Sequence, residues 1–114
     1  MLPLPVRKEK SGYLLNSMLI PFLFSALDLV VNEISDPASI DTAWTIGTGA
    51  PEGPFKILDT VGLKTAYDIV EMYVKIPSFL APYNFKGMHM LLKKYIDEGK
   101  LGVASGEGFY KYEK

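Results

Sequence analysis

The chain has 114 residues, long enough for one domain around one core, and its 48% apolar and 22% charged content is that of an ordinary globular protein. Twelve basic against thirteen acidic residues leave a formal charge of -1, which supplies no electrostatic footprint for nucleic acid or an anionic membrane. Cysteine is absent, so disulfides, thiolate catalysis and thiolate metal sites are excluded together, and a reducing, cytoplasmic setting fits.

Residues 1–10, with LPLPVRKEK held extended by its prolines and lacking a helical period, read as a junction. Arg7, Lys8 and Lys10 followed by YLLNSMLIPFLFSA imitate a secretory signal, but Asn16 and Pro21 interrupt the apolar run and no small-residue cleavage site closes it. A membrane span over 13–31 would bury Asn16 and Asp28 in hydrocarbon without evident partners, so the stretch is expected to be a helix of a soluble protein. It starts at Ser11 or Gly12. Leu15, Leu19, Phe22, Ala26, Leu29 and Val30 fall at helical spacing, and Met18, Leu23, Leu27, Val31 and Ile34 widen the stripe. Pro21 predicts a kink or an offset first turn.

A second helix should start at Asp36, an N-cap with Pro37 at the first helical position, and run to about Ile46, with Gly47 taking the left-handed conformation. Gly53-Pro54 restarts a short helix, PFKILDTV, with Phe55, Leu58 and Val61 facing the core. LKTAYDIVEMYVK puts Leu63, Ala66, Tyr67, Val70 and Val74 on one face until Pro77 stops it. After the connector PSFLAPYN, FKGMHMLLKKYIDEGK turns Met88, Leu91, Leu92 and Tyr95 inward and stops at Gly99. The tail turns at Ser105-Gly106 and ends in an aromatic anchor, Phe109-Tyr110-x-Tyr112.

Few residues promise chemistry. GTGAPEGPF, residues 47–55, resembles a phosphate loop at first sight. Its glycines are one residue too widely spaced, it follows a helix rather than a strand, Pro51 removes a donor, and the carboxylate of Glu52 would repel a phosphate. No P-loop ending is present. His89 is the only histidine, with no carboxylate within reach on its own helix, so it reads as a surface or half-buried helix residue rather than a general base. One histidine, no cysteine and no D-x-D-x-D-G run make a metal site unexpected. Asn16 stands out as an amide inside an apolar stripe, able to donate and accept, and reads from the sequence as a local cap or interhelical hydrogen bond.

SGYLLNSMLIPFLFSALDLV, DPASIDTAWTIGTGAPEGPFKILDTVGL and GKLGVASGEGFYKY together resemble, in order and spacing, the C-terminal helical domain of the 3-hydroxyacyl-CoA dehydrogenases, over nearly all of residues 11–112. The resemblance implies an all-α fold of about five helices, of the 6-phosphogluconate-dehydrogenase C-terminal-like type, dimeric, over residues 11–114. It implies that residues 1–10 lead out of an N-terminal Rossmann domain. It implies oxidation of an L-3-hydroxyacyl-CoA to the 3-ketoacyl-CoA by the parent enzyme, with NAD and the catalytic histidine-glutamate pair held by the Rossmann part. The fragment alone is then inactive and binds no cofactor and no metal; its partners are the acyl-CoA of the parent enzyme and a second copy, with neither nucleic acid nor membrane. Asn16 matches the family asparagine in G-[FY]-x-x-N, beside the reacting oxygen, where a positioned amide is worth about 3 kcal/mol. Ala50 and Glu52 depart from the family's G-H-P-M-G-P-F, and Ser11 stands where proline is common. Two rivals remain: a stand-alone helical dimerisation or interaction module, and the same domain in a dehydrogenase acting on a non-CoA hydroxy acid.

Overall fold

The structure, a computed structural model, describes residues 11–77 and 79–112, with side chains described from Ser17 onward. Five α-helices follow one another, α1 (Ser11–Val31), α2 (Pro37–Thr48), α3 (Pro54–Val61), α4 (Leu63–Glu71) and α5 (Phe85–Asp97), and a 3-10 turn at Val103–Ser105 opens the tail. The all-α expectation holds among the described residues, where extended pairing is limited to isolated bridges at Gly102–Glu107 and Glu107–Lys111. The junction assigned to residues 1–10 lies outside them.

α1 runs through Pro21 as one helix. Pro21 and Ser17 are both exposed, so the carbonyl that loses its helical donor can turn to water. Leu23, Phe24, Ala26 and Leu27 are buried, whereas Met18, Leu29 and Ile34 from the expected stripe are exposed. Phe24, which belonged to neither expected set, is drawn inward by rings on later elements: it meets Tyr73 and Phe85 edge-on, each at 5.2 Å. The helix ends in a Schellman arrangement. Glu33 takes φ 59°, and its amide and that of Ile34 donate to Val30 and Leu29.

Asp36 caps α2 as expected, accepting from the Ser39 amide at 2.8 Å, with Pro37 at the first position. The helix extends two residues beyond the expected end, and Gly49 rather than Gly47 is left-handed, with φ 75°. Thr48 carries this exit: its hydroxyl donates to the Trp44 carbonyl at 2.6 Å and accepts from the Ala50 amide at 3.2 Å. α3 has the expected bounds, although Val61 is 42% exposed rather than in the core.

α4 stops at Glu71, short of Pro77. The amide of Tyr73 reaches back to Val70 and that of Ile76 to Tyr73, tight turns that swing the Tyr73 ring inward to stack on Phe85 at 5.3 Å and 26°. Tertiary aromatic packing here overrides continued helical propensity. α5 begins on Asn84, whose side chain accepts from the Gly87 amide at 2.9 Å. It ends at Asp97, and Gly99 just beyond is left-handed, φ 79°, with the Lys100 amide donating to Tyr95. Gly87 is required by packing, since a Cβ there would strike Val31 of α1.

α4 and α5 form an antiparallel hairpin, and α1 and α3 pack against it around Leu27, Phe55, Leu58, Leu63, Val70, Met88 and Leu92. Each such side chain contributes about 2 to 3 kcal/mol by leaving water. α2 stands outside this core, with Asp41 as its buried residue.

Candidate functional site

Two buried carboxylates that sequence reasoning did not single out each collect three hydrogen bonds. Asp41, 8% exposed, accepts from the amides of Phe55 at 2.9 Å and Lys56 at 3.0 Å and from the Tyr110 hydroxyl at 2.8 Å. It therefore caps the start of α3 from a neighbouring helix. Asp59, 1% exposed, accepts from the amides of Phe109 at 2.8 Å and Tyr110 at 3.1 Å and from the Tyr112 hydroxyl at 2.5 Å. Tyr110 touches both carboxylates, one through its backbone and one through its ring. The anchor expected from Phe109, Tyr110 and Tyr112 is thus a polar clasp, with Phe109 also packed edge-on against Phe55 at 4.8 Å. Burial first, and donation to a carboxylate second, push the Tyr110 and Tyr112 hydroxyls well above the ordinary phenol range.

Glycine makes these approaches possible. A Cβ on Gly53 would lie 2.5 Å from the backbone of Asp41, and one on Gly108 would overlap the Asp59 carboxylate. The glycine-proline loop that resembles a phosphate cradle does precede a helix start that attracts anions. The chain supplies that anion itself, as Asp41, so the start of α3 has no room for a dinucleotide phosphate. The available signal was an acid on the inner face of α2 ahead of Gly-Pro.

Asn16 lies in the second turn of α1; its side chain falls outside the described ones. From Ser17 onward α1 forms one wall of a largely apolar groove of about 680 Å3, completed by Tyr73, Ile76, Pro82, Tyr83 and Phe85. Asp28, which looked unpartnered in the sequence, accepts from the Asn84 amide at 2.7 Å and the Asn32 side chain at 3.0 Å, tying α1 to the start of α5.

His89 is half-buried, as expected, but a carboxylate is near it after all. Glu71, on the facing helix, stands 3.9 Å from Nε2. That nitrogen is shielded from solvent, so it offers no general base to a substrate. Among the described residues no cluster of three or more His, Asp or Glu side chains is arranged to hold a metal ion.

A helical domain closed by a glycine-rich aromatic tail on two buried carboxylates is the class this geometry defines. Residues 12–112 match the family model for the 3-hydroxyacyl-CoA dehydrogenase C-terminal domain, and the chain belongs to that family. Human mitochondrial hydroxyacyl-coenzyme A dehydrogenase is 37% identical over 106 residues, which are 93% of this chain and 33% of that protein. Among solved structures, a diketoreductase described as carrying out substrate-directed dual catalysis of dicarbonyl compounds superposes with a TM-score of 0.81 at 50% identity, covering 98% of this chain and 37% of that one. The (S)-3-hydroxybutyryl-CoA dehydrogenase of Ralstonia eutropha does so with 0.66 at 28% identity, covering 87% and 34%. The chain thus spans about a third of the length of the relatives it matches.

Proposed function

We propose that this domain is the substrate-side and dimerisation part of an NAD-dependent 3-hydroxyacyl-CoA dehydrogenase, which oxidises an L-3-hydroxyacyl-CoA to the 3-ketoacyl-CoA. The observation that carries this reading is the match over residues 12–112 to the family's C-terminal domain. NAD and the proton-transfer residues are assigned to the rest of the parent protein, in keeping with an α3 start already filled by Asp41. α1 contributes Asn16, whose amide stabilises charge developing on the reacting oxygen. Replacing Asn16 by Ala in the parent enzyme should lower kcat about 100-fold with little change in stability. The 114-residue chain alone should form no NADH from 3-hydroxybutyryl-CoA; measurable turnover would overturn the division of labour.

Pairing of two copies is supported by apolar side chains left open on the outer helices, Met18 at 66% and Ile46 at 79% exposure, with Leu29 and Trp44. Light scattering that found only monomer at high micromolar concentration would exclude it. No described helix is long and apolar enough to cross a membrane, and the charge balance suits neither membrane nor nucleic-acid partners. The cytoplasm fits a cysteine-free chain, although the human relative is named mitochondrial.

A second reading has its own support. The 50% identity to a diketoreductase acting on dicarbonyl compounds favours a parent enzyme that reduces a dicarbonyl compound, and the rival substrate is one without coenzyme A. Steady-state assays of the parent with acetoacetyl-CoA and with a simple diketone separate the two: the larger kcat/KM names the substrate class.

A further inference from the structure

The imidazole of His89 has no part in the proposed function, and its surroundings are unusual. Nε2 is shielded from solvent and lacks a hydrogen-bond partner, the one side-chain atom of that kind among the described residues. Buried polar atoms are satisfied in nearly all native structures, so an orphan has a physical cause. The ring lies on that of Tyr67 from α4, with 4.3 Å between centroids and 26° between planes. Glu71, one turn further along α4, holds its carboxylate 3.9 Å from Nε2. This is too long for a hydrogen bond, and a small rotation of the exposed Glu71 side chain closes it.

The other charges facing this spot are already matched. Lys64 sits 5.5 Å over the Tyr67 ring and is paired with Asp68. Lys93, one turn on along α5, is paired with Asp97 at 3.1 Å. Among the described residues Glu71 has no cation within ion-pair reach other than His89.

We propose that His89 and Glu71 form an acid-strengthened latch between α4 and α5. When the imidazole takes one proton from solvent, both ring nitrogens carry hydrogen. Nε2–H then donates to Glu71, and the cation remains stacked on the electron-rich Tyr67 ring. The orphan nitrogen is the unlatched state of this device. Closing it stiffens the hairpin that carries residues 72–84, and with them one wall of the apolar groove.

The test uses the 114-residue chain, whose single histidine makes assignment unambiguous. Urea unfolding is followed at about pH 8 and about pH 5.5, the range over which imidazoles charge, for the wild type, Glu71→Gln and His89→Gln, alongside the imidazole 15N spectrum. Acidification should raise the wild-type folding constant about fivefold relative to Glu71→Gln, the upper end for a partly exposed ion pair. His89→Gln should respond to pH as Glu71→Gln does. Identical pH responses of wild type and Glu71→Gln, or relative weakening of the wild type on acidification, overturn the latch. Glu71 is exposed, so its variant keeps the fold and the comparison stays readable.

Discussion

The two ends of this domain are built by different physics. At one end α2, α3 and the tail are joined by Asp41 and Asp59, whose oxygens collect backbone amides and tyrosine hydroxyls. At the other end Phe24, Tyr73, Tyr83 and Phe85 pack their rings together, while Phe79 and Leu80 on the connector stay exposed. Buried carboxylate bonds have strict geometry, and losing one partner strands the others in a dry site. Ring packing is looser and degrades by degrees. The carboxylate end should therefore fail sharply when altered, and the aromatic end gradually.

Asp59→Ala is the strongest way to expose that contrast. It strands two amides and the Tyr112 hydroxyl, and should cost about 3 to 5 kcal/mol in urea unfolding. Tyr110→Phe leaves Asp41 its two α3 amides and should cost about 1 to 2 kcal/mol. The same tyrosines make this end sensitive to alkali. A hydroxyl raised above its unfolded value contributes stability that is complete below about pH 10 and is lost as pH rises toward the folded-state value. The alkaline loss of stability should thus begin near pH 10 and become shallower in Tyr110→Phe and in Tyr112→Phe, as read by thermal melts across that range.

Substitutions at the aromatic end should be mild by comparison. Glu33 occupies a left-handed position where α1 ends, beside the Asp28 link to Asn84, whereas α5 closes the same kind of ending with Gly99. Glu33→Gly should stabilise by about 0.5 to 1 kcal/mol through relief of that backbone conformation. Phe79→Ser, at a ring that is 86% exposed, should change monomer stability by less than about 0.5 kcal/mol. A large loss would show that the connector is packed in solution, and the contrast between the ends would then have to be redrawn.

Much of the helical layout was legible because its punctuation is local. Asp36-Pro37, Gly53-Pro54 and Gly99 act within one turn of the helix they begin or end, and α3 fell on its expected bounds. The family blocks were legible for the same reason, as ordered motifs of glycine, proline and aromatic residues. The burial of Phe24 and the early end of α4 were not, because both depend on rings contributed by other elements. The clasp was hidden as well: Asp41 acts 14 residues away on Phe55, and Asp59 acts 50 residues away on Phe109.

By itself, then, the sequence determined the helices, their order and the family, since capping, periodicity and motif spacing are carried by neighbouring residues. Only the tertiary structure decided which acids are buried, which glycines are forced, and that the anion at the start of α3 is the chain's own. A buried carboxylate is stable only where distant amides and hydroxyls converge on it, and that convergence exists only once the helices have packed.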